Sequence, residues 1–69
     1  MTLHEAIIAI LEQTDEITTS EIATAINSNR SYVRGDGNPL EATQIKRRIS
    51  KQEYMHLFII DDGKVYLQH

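Results

Sequence analysis

Four cations, Lys46, Arg47, Arg48 and Lys51, crowd into the segment LEATQIKRRISK that runs from Leu40 to Lys51. Their shared chemistry is hydrogen-bond donation and positive charge, which suits phosphate oxygens and the acceptor groups on base edges. At about 100° per residue, Ala42, Ile45 and Ile49 fall on one narrow helical face. Thr43, Gln44, Arg47 and Lys51 fall on the opposite one, with Lys46 and Arg48 beside it. A helix over 41–51 of this kind buries one side and offers the other.

Other chemistries leave little trace. His4, His56 and His69 belong to three different elements, there is no cysteine, and no HExxH pair is present, so no metal site is expected. Asp61 and Asp62 adjoin a turn, where paired acids are more often turn formers than an acid–base couple. No serine or threonine sits in a GxSxG elbow or beside a recognisable base, and no glycine-rich loop is built to cradle phosphate. The expectation is a protein that is not an enzyme and needs no cofactor. Arg34-Gly35-Asp36 and the sequon Asn29–Ser31 act only outside the cell, a setting for which nothing in the chain argues, and both are set aside.

The formal net charge of -3 hides a segregation. Met1 to Asn29 holds five acids and no Lys or Arg; Arg30 to Lys51 holds six cations against Asp36 and Glu41; Gln52 to His69 holds three acids against Lys64. One basic patch on an acidic molecule follows, with a plain solvated surface as the competing explanation.

Sixty-nine residues allow one domain, 1–69, near the lower size limit for a core without disulfide or metal. The apolar run Ala6 to Leu11 is too short to cross a bilayer and no basic stretch precedes it, so a soluble, cytoplasmic protein with no membrane partner is expected. Thr2 and Glu5 form a capping-box pattern ahead of Leu3, Ala6, Ile7, Ile10 and Leu11, predicting a helix over 3–13. Ile8 falls off that face, as a partner contact or merely an exposed isoleucine. Asp15 and Glu16 read as a polar turn, and Ile17 with Thr18 as a short extended segment. Thr18 with Glu21, and Ile17 with Ile22, supply a second capping box and a hydrophobic staple. The second helix then starts near Thr19, buries Ile22, Ala25 and Ile26, and ends at Asn27 to Asn29.

Arg30 to Pro39 reads as a loop with tight turns, from which Tyr32 and Val33 are expected to tuck into the core. Leu40 packs beneath it, and the third helix starts at Glu41 or Ala42. Phe58 to Gln68 reads as a hairpin about Asp62-Gly63, a type I′ pair that sets Asp61 opposite Lys64 and Phe58 opposite Leu67. Phe58, Ile60, Val65 and Leu67 are expected to face the core, with Ile59 and Tyr66 outside. The architecture is mainly α with a small β-hairpin: a winged helix-turn-helix of three helices plus a two-stranded wing, whose third helix is the recognition element.

Tyr32, Asp36, Gly37, Pro39, Gln44, Ile45, Arg48, Tyr54, Leu57 and Phe58 carry a resemblance. The pattern resembles that of winged-helix domains appended to bacterial restriction endonucleases and, more distantly, the amino-terminal domain of the RNA polymerase delta subunit. It covers nearly the whole chain and departs from it in a longer link to Tyr54 and an acidic wing tip. The resemblance implies a regulatory or restriction-associated role. It also offers Arg48 as a loop-holding partner of Asp36 rather than a phosphate contact, and Gln44 has the structural alternative of capping loop carbonyls.

Two functions stay open. One is binding of double-stranded DNA, with Gln44 and Arg47 at base edges, Thr43 on the same groove-facing side, and Lys46, Arg48, Lys51, Arg30 and Arg34 at phosphates. The other is a protein-interaction winged helix that docks a polymerase, another subunit or a second copy through the acidic first helix, Ile8 or the Ile59/Tyr66 side of the hairpin.

Overall fold

The first two helices begin at threonines whose side chain and backbone both work. In a computed structural model, which describes residues 1–14 and 16–68, Thr2 Oγ1 accepts the Glu5 N–H at 3.4 Å. The Glu5 carboxylate takes the Thr2 N–H at 2.9 Å in return, opening α1 (Leu3–Leu11). Thr18 and Glu21 repeat the exchange at 3.2 and 3.0 Å and open α2 (Thr19–Asn29). Each box satisfies N–H groups that a helix start otherwise leaves without partners. Hydrogen bonds from the Thr2 and Thr18 backbones are the chief reason that Glu5 and Glu21 stay below the ordinary carboxylate pKa. Of the polar turn expected between these helices, Asp15 lies outside the described residues and Glu16 is exposed.

The buried stripe of α2 is Thr19, Ile22, Ala23 and Ile26, so Ala23 rather than the expected Ala25 lies inside. Spacing i, i+3, i+4, i+7 from Thr19 produces that rotation. Ile17 and Ile22, at the two staple positions, are both buried in the core. The helix stops where Arg30 turns left-handed, at φ 56°, and the Asn29 side chain accepts the Ser31 N–H at 2.9 Å beyond it.

The third helix, α3 (Ala42–Ile49), follows Glu41, as expected, and Leu40 is buried under the loop. It ends two residues before the expected Lys51. The Lys51 carbonyl instead receives the N–H groups of Tyr54 and Met55 at 2.9 and 2.8 Å, closing a turn that leads to a 3₁₀ segment, Met55–Leu57. Ile45 and Ile49 anchor α3, at 0% and 1% exposure.

The sheet has three antiparallel strands rather than the two expected of a simple hairpin. β1 (Ile17–Thr18), β2 (Phe58–Asp61) and β3 (Lys64–Leu67) lie in the order β1-β3-β2. The hairpin register is the expected one, from Asp61 opposite Lys64 to Phe58 opposite Leu67. Asp62 and Gly63 both take positive φ, 52° and 78°, as a type I′ turn requires. Ile17 and Thr18 pair with Val65 and Lys64 on the other edge of β3, and Lys64 Nζ closes on Glu16 Oε1 at 2.7 Å.

Two expected core residues lie outside. Ile60 is 53% exposed although its cross-strand partner Val65 is fully buried. Val65 occupies the central strand beneath the helices, whereas β2 is an edge that packs mainly on β3 and the 3₁₀ segment. Val33 is 66% exposed; of the expected loop pair only Tyr32 packs against the core. Ile8, placed off the apolar face, is half-buried and packs there too.

Candidate nucleic-acid interface

The loop before α3 is held at both of its ends by side chains. On the α2 side, Asn27 Nδ2 donates to the Leu40 carbonyl and Asn27 Oδ1 accepts the Leu40 N–H, both at 2.9 Å. This clamp fixes the entry to α3. On the outer side, Arg34 donates through Nη2 to Asp36 at 2.8 Å and through Nη1 to the Pro39 carbonyl at 3.2 Å and to Gln44 Oε1 at 3.3 Å. Asp36 also accepts the Asn38 N–H at 3.0 Å. That backbone bond first, and the Arg34 charge after it, hold the Asp36 carboxyl below its usual range. Gly37, at φ 79°, supplies the left-handed turn between them.

Arg48 does not reach Asp36. Arg34 is two residues from Asp36 and takes that place, while the Arg48 guanidinium lies 5.7 Å from the centroid of the Tyr54 ring. Tyr54 stacks on His4 with centroids 4.3 Å apart and planes 22° from parallel. This ties the start of α1, the end of α3 and the turn after it into one group, in which a cation over an aromatic face is favourable. Gln44 does not donate to loop carbonyls either: its Oε1 accepts the Glu41 N–H at 2.9 Å as well as the Arg34 bond.

A small cleft of about 250 Å³ gathers Gln44, Arg47, Arg48 and Lys51 beside Tyr32 and Leu3. The neighbouring cleft, about 430 Å³, is lined by Arg30, Arg34, Tyr32 and Asn38. Tyr32 borders both, so the two sets of cations adjoin across one half-buried ring. Thr43 and Lys46 are exposed on α3 outside the first cleft. Among the described residues, Arg30, Lys46, Arg47, Arg48 and Lys51 make no ion pair, whereas Arg34 and Lys64 do. Asn27 is the contributor that sequence reasoning missed, and its place near the end of an amphipathic helix was its one faint signal; Tyr54 stood in the resembling pattern without a role of its own.

Compared with known proteins, the chain matches no family model, no curated protein and no solved structure. Among the described residues, no three His, Cys, Asp or Glu side chains gather as they would around a metal ion. His4 and His56 sit in α1 and the 3₁₀ segment, and His69 lies outside the described residues. No described helix is long and apolar enough to cross a membrane. The hairpin tip, Asp61 and Asp62, is exposed and lies outside both basic clefts.

Proposed function

We propose that this chain is a DNA-binding module of the winged-helix type, with α3 entering the major groove of double-stranded DNA. The observation that carries the reading is the set of five cations that make no ion pair among the described residues, four of them on or just beyond α3, in a protein of net charge -3. Uncompensated charge concentrated on one side of an acidic molecule has a use in phosphate binding and little in folding. The order helix, strand, helix, helix, hairpin supports it, with α2 and α3 as the helix-turn-helix and β2–β3 as the wing. Thr43, Gln44 and Arg47 face base edges; Lys46, Arg48, Lys51 and Arg30 face phosphates. Arg34, held by Asp36, contributes mainly by shaping the loop. The resemblance to domains appended to restriction endonucleases makes a regulatory or restriction-associated setting the natural one.

The test is a fluorescence-anisotropy titration with random-sequence duplex at low and moderate salt. Three to five neutralised phosphates predict a log–log salt slope of about -3 to -5 and micromolar or weaker non-specific affinity at physiological salt. A combined Arg47→Ala and Lys51→Ala variant should flatten that slope by about one unit, through the lost Lys51 phosphate contact, while the lost Arg47 weakens discrimination at one base pair. Absence of binding at low salt, or an unchanged slope in the double variant, refutes the reading.

A second reading, docking of a protein partner, is favoured by the β2 edge. Ile59 and Ile60 on that strand are 42% and 53% exposed beside the acidic tip, and an uncovered edge is a template for another strand. Ile8 and Tyr66 line a separate groove between α1 and β3, a second surface for a polymerase subunit or another copy of the chain.

A further inference from the structure

A glutamine amide ordinarily offers one acceptor and two donors, and that combination lets it pair bidentately with adenine through N6 and N7. Gln44 has lost half of this capacity. Both lone pairs of Oε1 are engaged, one by the Glu41 N–H at 2.9 Å and one by Arg34 Nη1 at 3.3 Å. These partners donate only, so a flipped amide would set Nε2 against two N–H groups. The orientation is thus fixed by the chemistry of the neighbours. What remains for a ligand is the Nε2 amino group.

The surroundings extend the same bias. Arg47, Arg48 and Lys51 share the cleft with Gln44, and guanidinium and ammonium groups have no acceptor capacity. The only hydroxyl among the proposed base-reading residues is that of Thr43, on the outer side of the helix. We infer that Gln44 is a donor-only specificity residue that selects guanine, through O6 and N7, and rejects adenine, with Arg34 as the positioning residue that imposes this by occupying the amide oxygen. Adenine and cytosine place an amino group in the major groove, where it would meet the Gln44 amino group donor to donor. Guanine presents two adjacent acceptors there. The inference rests on the DNA reading above and specifies which duplexes that reading should favour.

The experiment is selection from a duplex library with a randomised core, sequenced for the wild type, Gln44→Glu and Arg34→Ala. Gln44→Glu is the decisive variant because a carboxylate oxygen still accepts from Glu41 and Arg34, so loop and helix cap are kept while both amide donors are lost. The wild type is expected to enrich guanine at one position that Gln44→Glu converts to cytosine, with melting temperature unchanged within a few degrees. Replacing that guanine by 7-deazaguanine should weaken wild-type binding roughly 5- to 150-fold and leave Gln44→Glu almost unaffected. Arg34→Ala, which frees one lone pair, should admit adenine at the same position. Wild-type enrichment of adenine at the position that Gln44→Glu alters, or a motif identical in all three proteins, overturns the inference and leaves DNA binding standing. A library from which nothing is retained at low salt overturns both.

Discussion

Removing the Asn27 side chain isolates the contribution of the loop clamp. Asn27→Ala deletes two 2.9 Å hydrogen bonds and leaves both main-chain groups of Leu40, a residue 4% exposed, without partners. An orphaned buried polar group costs roughly 1–3 kcal/mol. Asn27 itself is at the surface, so water reaches part of the gap, and about 1–3 kcal/mol in total is the expected loss. For a domain this small, 1 kcal/mol moves the melting temperature by about 4–8 °C, so a fall of roughly 5–20 °C should appear in a circular-dichroism melt. Ser28→Ala, next door, exposed and without a side-chain hydrogen bond among the described residues, should melt with the wild type. Asn27→Asp adds a sign. The carboxylate keeps the bond from the Leu40 N–H but faces the Leu40 carbonyl without a proton to donate. It should therefore be destabilised most at neutral pH and recover as pH falls and the acid protonates. Equal melting of Asn27→Ala and Ser28→Ala would show that the clamp is incidental.

Three other outcomes follow from the packing, the turn and the caps. Ile45→Ala or Ile49→Ala should cost about 2–5 kcal/mol in urea unfolding, enough to leave much of the chain unfolded; a loss under 1 kcal/mol would mean that α3 is seated differently. Gly63→Val should cost about 1–2 kcal/mol because valine resists the left-handed region, whereas Gly63→Asn, which tolerates it, should cost less. No atom lies within 4 Å of an added Cβ at Gly63, so equal losses would place the cost outside the backbone conformation. Glu5 and Glu21 have lowered pKa values in the folded state. Their stabilisation is therefore complete above the unfolded carboxylate pKa, about 4.3, and is lost as pH falls through the lower folded values. Melting temperatures from pH 6 to pH 2.5 should drop mainly below about pH 4.3, and less steeply in a Glu5→Gln, Glu21→Gln double variant; parallel pH curves would count against the caps.

The helices and the hairpin register were readable because local signals set them. Thr2/Glu5 and Thr18/Glu21 mark helix starts within four residues, and Asp62-Gly63 leaves one way to align the strands. β1 escaped notice as a sheet member because two residues show no period, and its partner lies far along the chain. The exposure of Ile60 and Val33 depends on where helices end over the sheet and how the loop travels, neither of which is written in neighbouring residues. The clustering of cations on one helix was equally plain, but their commitments were not. Whether Asp36 meets Arg34 or Arg48, and which end of the Gln44 amide is occupied, is decided by the path of Arg30 to Pro39 in space.

The strand order carries a consequence for how the domain comes together in time. β3 is the latest of the three strands in the chain and the only one that touches both others. Until it arrives, Ile17 and Thr18 have no strand to pair with, and Phe58 to Asp61 are half of an unmade ribbon. On a ribosome, therefore, the helices can emerge and collapse, but the sheet beneath them waits for Lys64 to Leu67. Closing it joins segments almost fifty residues apart, as the Lys64–Glu16 contact records. Amides of β1 and of the hairpin should in consequence gain protection from hydrogen exchange as a single unit, and at the same moment.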